Sequence, residues 1–249
     1  MRYWIATLSL LLMATLGQAE ERTPIKVASM EWSGYSKSDG SGYYIELLQT
    51  VFPVDRYKVE MRFVPFARSL QFAASGQADM ALGLYFDESR QVLFSRLPVA
   101  MDVIDAATTE ELHNQWRGIE SLSQKKVGLY MGHRLKNHLP EDTHLQHFTS
   151  LKAMLKMVAI GRLDAVLDYD KDMSPIIQRI NADIPIIKQV VTIPLYFGFT
   201  SGDKGRRLKA TFDQVYSELL QQGDIKVLLD KHIVNAAPHY PFQCQSGRC

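Results

Sequence analysis

An α/β fold is the class the sequence predicts, and three observations point to it. Strand-like and helix-like segments alternate from Ile25 to Phe94, the pattern of a parallel sheet with helices on its faces. A second alternation begins at Lys126 and runs to Ile193. Two largely apolar runs, Leu97–Thr108 and Tyr196–Thr200, stand where the chain would pass between them.

The chain opens with Arg2 and an apolar run from Ile5 to Leu16. Gly17-Gln18-Ala19 then sets small residues at the third and first positions before a cut after Ala19. This is the pattern of a secretory signal peptide, residues 1–19. The run is short of the roughly 20 apolar residues of a membrane span. No cysteine lies near the cut, so a soluble, exported protein without a lipid anchor is expected. The sequence holds 28 basic and 27 acidic residues, and losing Arg2 with the leader brings the balance to zero. That argues against a nucleic-acid partner, whose backbone calls for a basic surface. With 46% hydrophobic residues, the mature chain can bury a core as one large domain or two small ones.

Ile25–Met30 alternates and reads as a strand. Glu31–Gly42 is a turn-rich loop. Tyr44, Leu47, Leu48 and Val51 fall at helical spacing, giving a helix over Tyr43–Phe52 that Pro53 stops. Tyr57–Val64 is a second strand. Pro65 suits the first turn of a helix that ends near Gly76. Met80–Leu84 is a short buried strand, and Tyr85–Arg90 is a polar segment where a helix is expected to start. Val92–Phe94 is a further apolar run. Glu110–Gly118 reads as charged and irregular.

In the second alternation, Lys126–Tyr130 is a strand and Gly132-His133-Arg134 a helix entry. Leu145–Phe148 is a strand. Leu151, Met154, Leu155 and Val158 mark a helix stopped by Gly161. Asp164–Leu167 is a strand, and Asp170–Ile180 a helix that Pro175 can kink. Ile184–Ile193 is extended. Leu208, Phe212, Val215, Leu219 and Leu220 form the buried face of a helix starting at Gly202. A break at Gly223 leads to a helix over Asp224–His232, and the tail from Pro238 is irregular. Each alternation carries a Gly-x-x-Asp step into a strand, at Gly76–Asp79 and Gly161–Asp164.

Arg90 closes a segment that follows a strand, where outward N–H groups and a guanidinium suit an anion. Pairing with Asp87 on one helical turn is the other reading of the same residues. Trp32 and Tyr35 suit an aromatic wall for a ligand, or packing under a loop. Four histidines, His133, His138, His144 and His147, lie close in sequence. Their spacing does not supply the three or four converging ligands of a zinc site, and neither a metal nor a cofactor is expected. Cys244 and Cys249 are the only cysteines, and a small terminal disulfide loop is compatible with an oxidising compartment.

Several motifs then share one order: Trp32-Ser-Gly-Tyr35 with Asp39-Gly40 and Gly42, and Pro65-Phe-Ala-Arg68-Ser-Leu with Gly76-Gln-Ala-Asp79. Glu88-Ser-Arg90 with Phe94-Ser95 and Pro98 follows. Lys125-Lys-Val-Gly128 with Gly132, and Gly161-Arg-Leu-Asp-Ala-Val166, complete the set. From Ile25 to His232 the chain resembles the family 3 extracellular solute-binding proteins, the periplasmic receptors of polar amino acid ABC importers. The resemblance implies a two-lobed type II periplasmic-binding-protein-like fold with two hinge-crossing strands. Lobe I would be residues 20–104 and 196–249, and lobe II residues 105–195. The ligand would lie between lobes that close by a hinge.

The resemblance implies that Arg90 holds a ligand carboxylate through a bidentate pair. Where the family has small hydroxyl residues just before it, this chain has Gly83-Leu84-Tyr85. Gly83 is then left to backbone contacts, and Tyr85 to a hydrogen bond or to the pocket floor. Arg68 would stand at the start of its helix, toward the cleft or toward solvent. After Gly132 the family's small hydroxyl is replaced by His133-Arg134, which suggests a second anionic group on the ligand. The family's aspartate for the α-amino group has its offset at Tyr169. Asp168 is the expected substitute, with Asp170 as a helix N-cap.

A periplasmic monomer that binds a small carboxylate-bearing solute for an inner-membrane ABC permease is therefore expected. Two alternatives use the same scaffold. One is a cleft enzyme such as a cyclohexadienyl dehydratase, needing an acid such as Asp168, Asp170 or His133 over the substrate; no paired nucleophile and base is evident. The other is a subunit presenting ligand to a membrane receptor.

Overall fold

The computed structural model describes residues 22–86, 89–131 and 135–241. Its first half runs β1 (Thr23–Ser29), α1 (Tyr43–Val51), β2 (Tyr57–Phe63), α2 (Phe66–Ala74), β3 (Met80–Tyr85), β4 (Val92–Phe94) and β5 (Ala100–Thr108). Next come α3 (Glu110–Gln115), β6 (Lys126–Tyr130), β7 (His144–Phe148), α4 (Leu151–Ala159), β8 (Ala165–Asp168) and α5 (Asp170–Arg179). The chain returns through β9 (Ile186–Thr200) and finishes with α6 (Asp203–Gln222) and α7 (Asp224–His232).

All the described strands join one sheet in the order β2-β1-β3-β9-β5-β8-β6-β7, with β4 also paired to β9. The order is nearly symmetric about β9 and β5. On one side β1 lies parallel between β2 and β3; on the other β6 lies parallel between β7 and β8. The two returning strands run antiparallel to each other and to the strands they meet.

The two Gly-x-x-Asp steps explain this symmetry at atomic level. Gly76 and Gly161 end their helices at φ +74° and +68°, a conformation glycine adopts without steric cost. Asp79 N–H then donates to Lys26 O (2.7 Å), and its carboxylate accepts Lys26 N–H (2.7 Å). Asp164 repeats this on Lys126, at 2.9 and 2.7 Å. The carbonyl of Asp79 accepts from Thr200 N–H and that of Asp164 from Thr109 N–H. Each aspartate thus ties a central strand to a crossing strand. Asp79 also pairs with Lys204 of α6 at 2.6 Å. These carboxylates are structural ties, not ligand groups.

Core clusters cover both halves of the sheet. Tyr43, Tyr44, Phe197, Phe199, Phe212 and Tyr216 pack among β1, β9, α1 and α6. Tyr43 donates to Val99 O (2.6 Å) and Tyr216 to Pro98 O (2.8 Å), satisfying carbonyls just before β5. Around β8, Met154, Leu155, Val158, Met173 and Ile177 cover the second half of the sheet.

Four expectations need correction. Tyr85–Arg90 does not start a helix among its described residues. β3 and β4 both run antiparallel to β9, with Tyr85 opposite Leu195 and Val92 opposite Thr200. β3 runs through Tyr85, so the first residue expected in the helix belongs to the strand instead. Glu110–Gly118 is not irregular throughout: Thr109 Oγ1 accepts Leu112 N–H (3.3 Å) and caps α3, with Glu110 and Glu111 in the first turn. The segments Ile184–Ile193 and Tyr196–Thr200 are joined in one strand. Pro194 is tolerated opposite Met101, just past the last pairing of β9 with β3, where one strand edge needs no N–H. Finally, Asp170 is the first residue of α5 rather than its cap; Tyr169 holds the cap position. The Asp170 carboxylate bonds Ser174 and Lys188. Gly132, His133 and Arg134, and Cys244 and Cys249, lie outside the described residues.

Candidate functional site

A cleft of about 730 Å³ opens between the two halves of the sheet, within the size range of small-molecule sites. Its walls come from the carboxyl ends of parallel strands, as in open α/β sheets generally. Met30–Ser33 follow β1, Pro65–Ala67 follow β2, and Gly83 and Tyr85 end β3. From the other half come Tyr130 and Met131 after β6, Leu151 at the start of α4, and Asp168, Tyr169, Lys171 and Asp172 after β8. The crossing strands contribute Asp102, Ile104 and Leu195 to the floor.

The Trp32 loop is built to stand rigidly. Trp32 N–H and carbonyl both bond Ser36, and Tyr44 N–H donates to Tyr35 O (2.8 Å), fastening the loop to α1. Gly42 permits this at φ +124°: a Cβ there would lie 2.4 Å from Tyr35 O. Trp32 stacks on Tyr35 with ring centres 4.3 Å apart, and its other contacts include Tyr169, 6.1 Å away in the opposite wall. Lys171 Nζ reaches Ser33 O at 3.4 Å, a second contact across the cleft.

At the floor, Tyr85 Oη donates to Asp102 Oδ2 at 2.6 Å. Burial first, then the charge of Asp102, hold the Tyr169 phenol well above the ordinary tyrosine range. Burial likewise pushes the Tyr35 and Tyr44 phenols up. Behind the wall, Tyr35 Oη lies 2.9 Å from His239 Nδ1. Burial lowers the pKa of that imidazole, against the raising effect of its contact with Met101 O.

The structure brings Trp32, Gly83, Tyr85, Asp168 and Tyr169 together as lining residues. Asp168 is buried, and its Oδ1 accepts the N–H of Tyr169 at 2.8 Å. Tyr35 sits buried behind Trp32 instead of facing the cleft. Arg68 and Arg90 are exposed and are not among the lining residues, although Phe66 and Ala67, beside Arg68, are. His133 and Arg134 are not described. Asp102 and Lys171 were not singled out from the sequence. The readable signal for Asp102 was an acid inside the apolar run 97–108, since a carboxylate in such a strand must find partners. Among the described residues no group of three metal-ligating side chains occurs, and no helix is long and apolar enough to cross a membrane.

Several solved structures share this architecture. The ligand-binding core of GluR0, in complex with L-glutamate, superposes with a TM-score of 0.67 at 13% identity, covering 86% of this chain and 100% of that one. AbpA, an amino acid ABC transporter substrate-binding protein from Streptococcus pneumoniae bound to L-arginine, gives 0.61 at 18% identity, over 84% and 94% of the chains. A histidine kinase sensor domain with similarity to periplasmic binding proteins gives 0.62 at 19% identity, over 86% and 97%. No protein-family model and no curated protein matches the sequence. At these identities the likeness establishes the fold. The chain has the two-lobed type II periplasmic-binding-protein-like fold, with β5 and β9 as its two crossing strands. Among the structures that share it are binding proteins for amino acids.

Proposed function

We propose that this protein is a periplasmic solute-binding protein that captures a small polar ligand, an amino acid or a related carboxylate, for an ABC importer. Residues 1–19 are its export signal. Residues 20–104 and 196–249 form lobe I, and residues 105–195 form lobe II. The observation that carries the reading is the cleft itself: its walls come from strand ends of both halves, and Trp32 faces Tyr169 across it. Ligand binds both walls at once and so favours the closed arrangement over the open one. An inner-membrane permease then takes the closed, ligand-bound monomer as its partner. The binding role, as against catalysis, is supported by the likeness to AbpA, a substrate-binding protein.

A thermal-shift screen of amino acids, organic acids and polyamines tests this directly, because a ligand specific to the folded state raises Tm. Arg90 is proposed to reach the ligand carboxylate from its exposed turn beside β4. Arg90→Ala is then expected to weaken a carboxylate ligand by about 2 kcal/mol, some thirtyfold, the size of a charge-assisted pair. Unchanged affinity by titration calorimetry would remove Arg90 from the site.

The likeness to a sensor domain favours one second reading, a subunit that presents ligand to a membrane receptor. Co-purification with a permease, or with a receptor kinase, separates the two.

A further inference from the structure

The Trp32–Tyr35 wall of the cleft is braced from behind by the segment that follows α7. Gly34 comes so close to it that a Cβ there would lie 2.7 Å from Ile233 Cδ1 and 3.0 Å from His232 O. Ala236 and Tyr240, on either side of the single helical turn Ala237–His239, are buried in the same core as Tyr35. Tyr240 Oη is held in turn by Asp230. His239 is thus pinned against the wall from both directions along the chain.

One atom of His239 meets two partners. Its Nδ1 lies 2.9 Å from Tyr35 Oη and 3.0 Å from Met101 O. A carbonyl can only accept, a hydroxyl can donate or accept, and an imidazole nitrogen carries either a lone pair or a proton. With a lone pair, Nδ1 accepts from the Tyr35 hydroxyl. With a proton, it donates to Met101 O, and the Tyr35 hydroxyl loses its acceptor. Tyr35 is 3% exposed, and a buried hydroxyl left unmatched is costly. The two partners belong to different parts of the molecule. Tyr35 lies under the Trp32 ring, stacked at 4.3 Å, whereas Met101 belongs to the crossing strand β5, opposite Pro194 of β9.

The ionisable groups that face this imidazole are Tyr35 from the loop, Asp105 from β5 and Lys171 from α5. Burial is the largest influence and lowers its pKa; the Met101 carbonyl works against this, Lys171 with it and Asp105 against it. The ring is therefore neutral at neutral pH and takes up its proton below the ordinary histidine value of 6.5. Tyr35 keeps its own proton throughout, because burial pushes its phenol up.

We propose that His239 is a positioning residue for the ligand wall: neutral, it holds the hydroxyl end of Tyr35 and through that ring Trp32; protonated, it turns to Met101 O and releases them. Backbone bonds still hold the loop at its base, so the change is confined to the two rings. The wall is firm at neutral pH and loosened on acidification. The inference rests on the solute-binding reading above for what the wall contacts.

The test follows the Trp32 indole N–H by NMR in the ¹⁵N-labelled full-length chain, with its cross-peak assigned by its loss in Trp32→Phe. Spectra are recorded from about pH 8 to about pH 5, the range in which histidines change charge. The Trp32 resonance is expected to shift with a midpoint below 6.5, together with the His239 ring protons. In His239→Asn the carboxamide oxygen accepts from Tyr35 and does not titrate, so the Trp32 resonance stays near its neutral-pH position and the shift is lost. In Tyr35→Phe the imidazole still titrates but its link to Trp32 is gone, so the shift is lost there too. A purely structural role would lower Tm in both variants and give the parent no titration at Trp32. Absence of the shift in the parent overturns the inference. So does a shift that survives His239→Asn, which would come from another group, or one that survives Tyr35→Phe, which would be the bare field of the charge. The readout needs no ligand, so its failure is distinct from that of the solute-binding reading, which falls with an empty ligand screen.

Discussion

Gly205→Ala is expected to destabilise the protein by about 3 kcal/mol or more, the upper range for forcing extra volume into packed structure. A Cβ at this position would fall 1.8 Å from Thr200 O, a backbone atom, and 2.8 Å from Thr200 C. No rotamer change can relieve a clash with backbone. The turn from β9 into α6 is only Ser201-Gly202, so Thr200 cannot withdraw without pulling at its bond to Asp79 O. The disturbance then spreads to the Asp79 tie, which holds β1, β3 and α6 together. At roughly 2–4 °C per kcal/mol for a chain of this size, calorimetry should record a fall in Tm of about 6–12 °C. Gly202→Ala is the control, because a Cβ there meets nothing within 4 Å. Equal Tm values for the two variants would contradict the packing described.

Asp105→Ala is expected to cost about 3 kcal/mol of stability and to weaken ligand binding as well. Asp105 stands where the β5–β9 register shifts. Its Oδ1 accepts Gln189 N–H (2.9 Å) at a residue with φ +55°, and its Oδ2 accepts Asp170 N–H (2.9 Å) at the start of α5. A carboxylate at a helix N-terminus is favoured by the exposed N–H groups there. Hydrogen bonds to a charged group contribute about 1.5–3 kcal/mol each, and removing the acceptor strands both donors. Because the start of α5 carries Tyr169 and Lys171 into the cleft, a shift costing about 1.4 kcal/mol of fit is a tenfold loss of affinity. Urea unfolding and calorimetric titration measure the two effects. Asp105→Asn keeps one acceptor oxygen, and its losses should be about half as large. A loss of stability with affinity unchanged would show that Asp105 braces the sheet without orienting the cleft.

Local pattern carried most of the architecture. The hydrophobic spacing of α1, α4 and α6, and the repeated Gly-x-x-Asp steps, are properties of short windows, and those elements stand where the windows put them. The continuity of β9 was harder to see, because Pro194 reads as a break unless the neighbouring edge is known to be free. The pairing of both β3 and β4 with β9 was hidden for a similar reason: it depends on contacts between distant segments. The cleft was legible where a side chain belongs to a strand-end loop, as for Trp32, Tyr85 and Asp168. Asp102 escaped because its neighbours at the floor come from distant elements. Nothing near it in the chain says that a carboxylate in an apolar strand will meet Tyr85. Tyr35 was legible as an aromatic but not as the layer behind Trp32, since only the fold decides which ring faces outward.

The stacking of Trp32 between lobe contacts has an optical consequence. Of the three tryptophans, Trp4 belongs to the expected export signal, and Trp116 packs against the core around β6, away from the Trp32 loop. Trp32 alone touches Tyr169 across the cleft. If the proposed lobes part, that ring withdraws and water reaches the indole, while Trp116 keeps its surroundings. Trp32 is therefore a built-in fluorophore at the seam where the proposed lobes meet. A shift in its emission on adding ligand, absent in Trp32→Phe and retained in Trp116→Phe, would report closure without any dye.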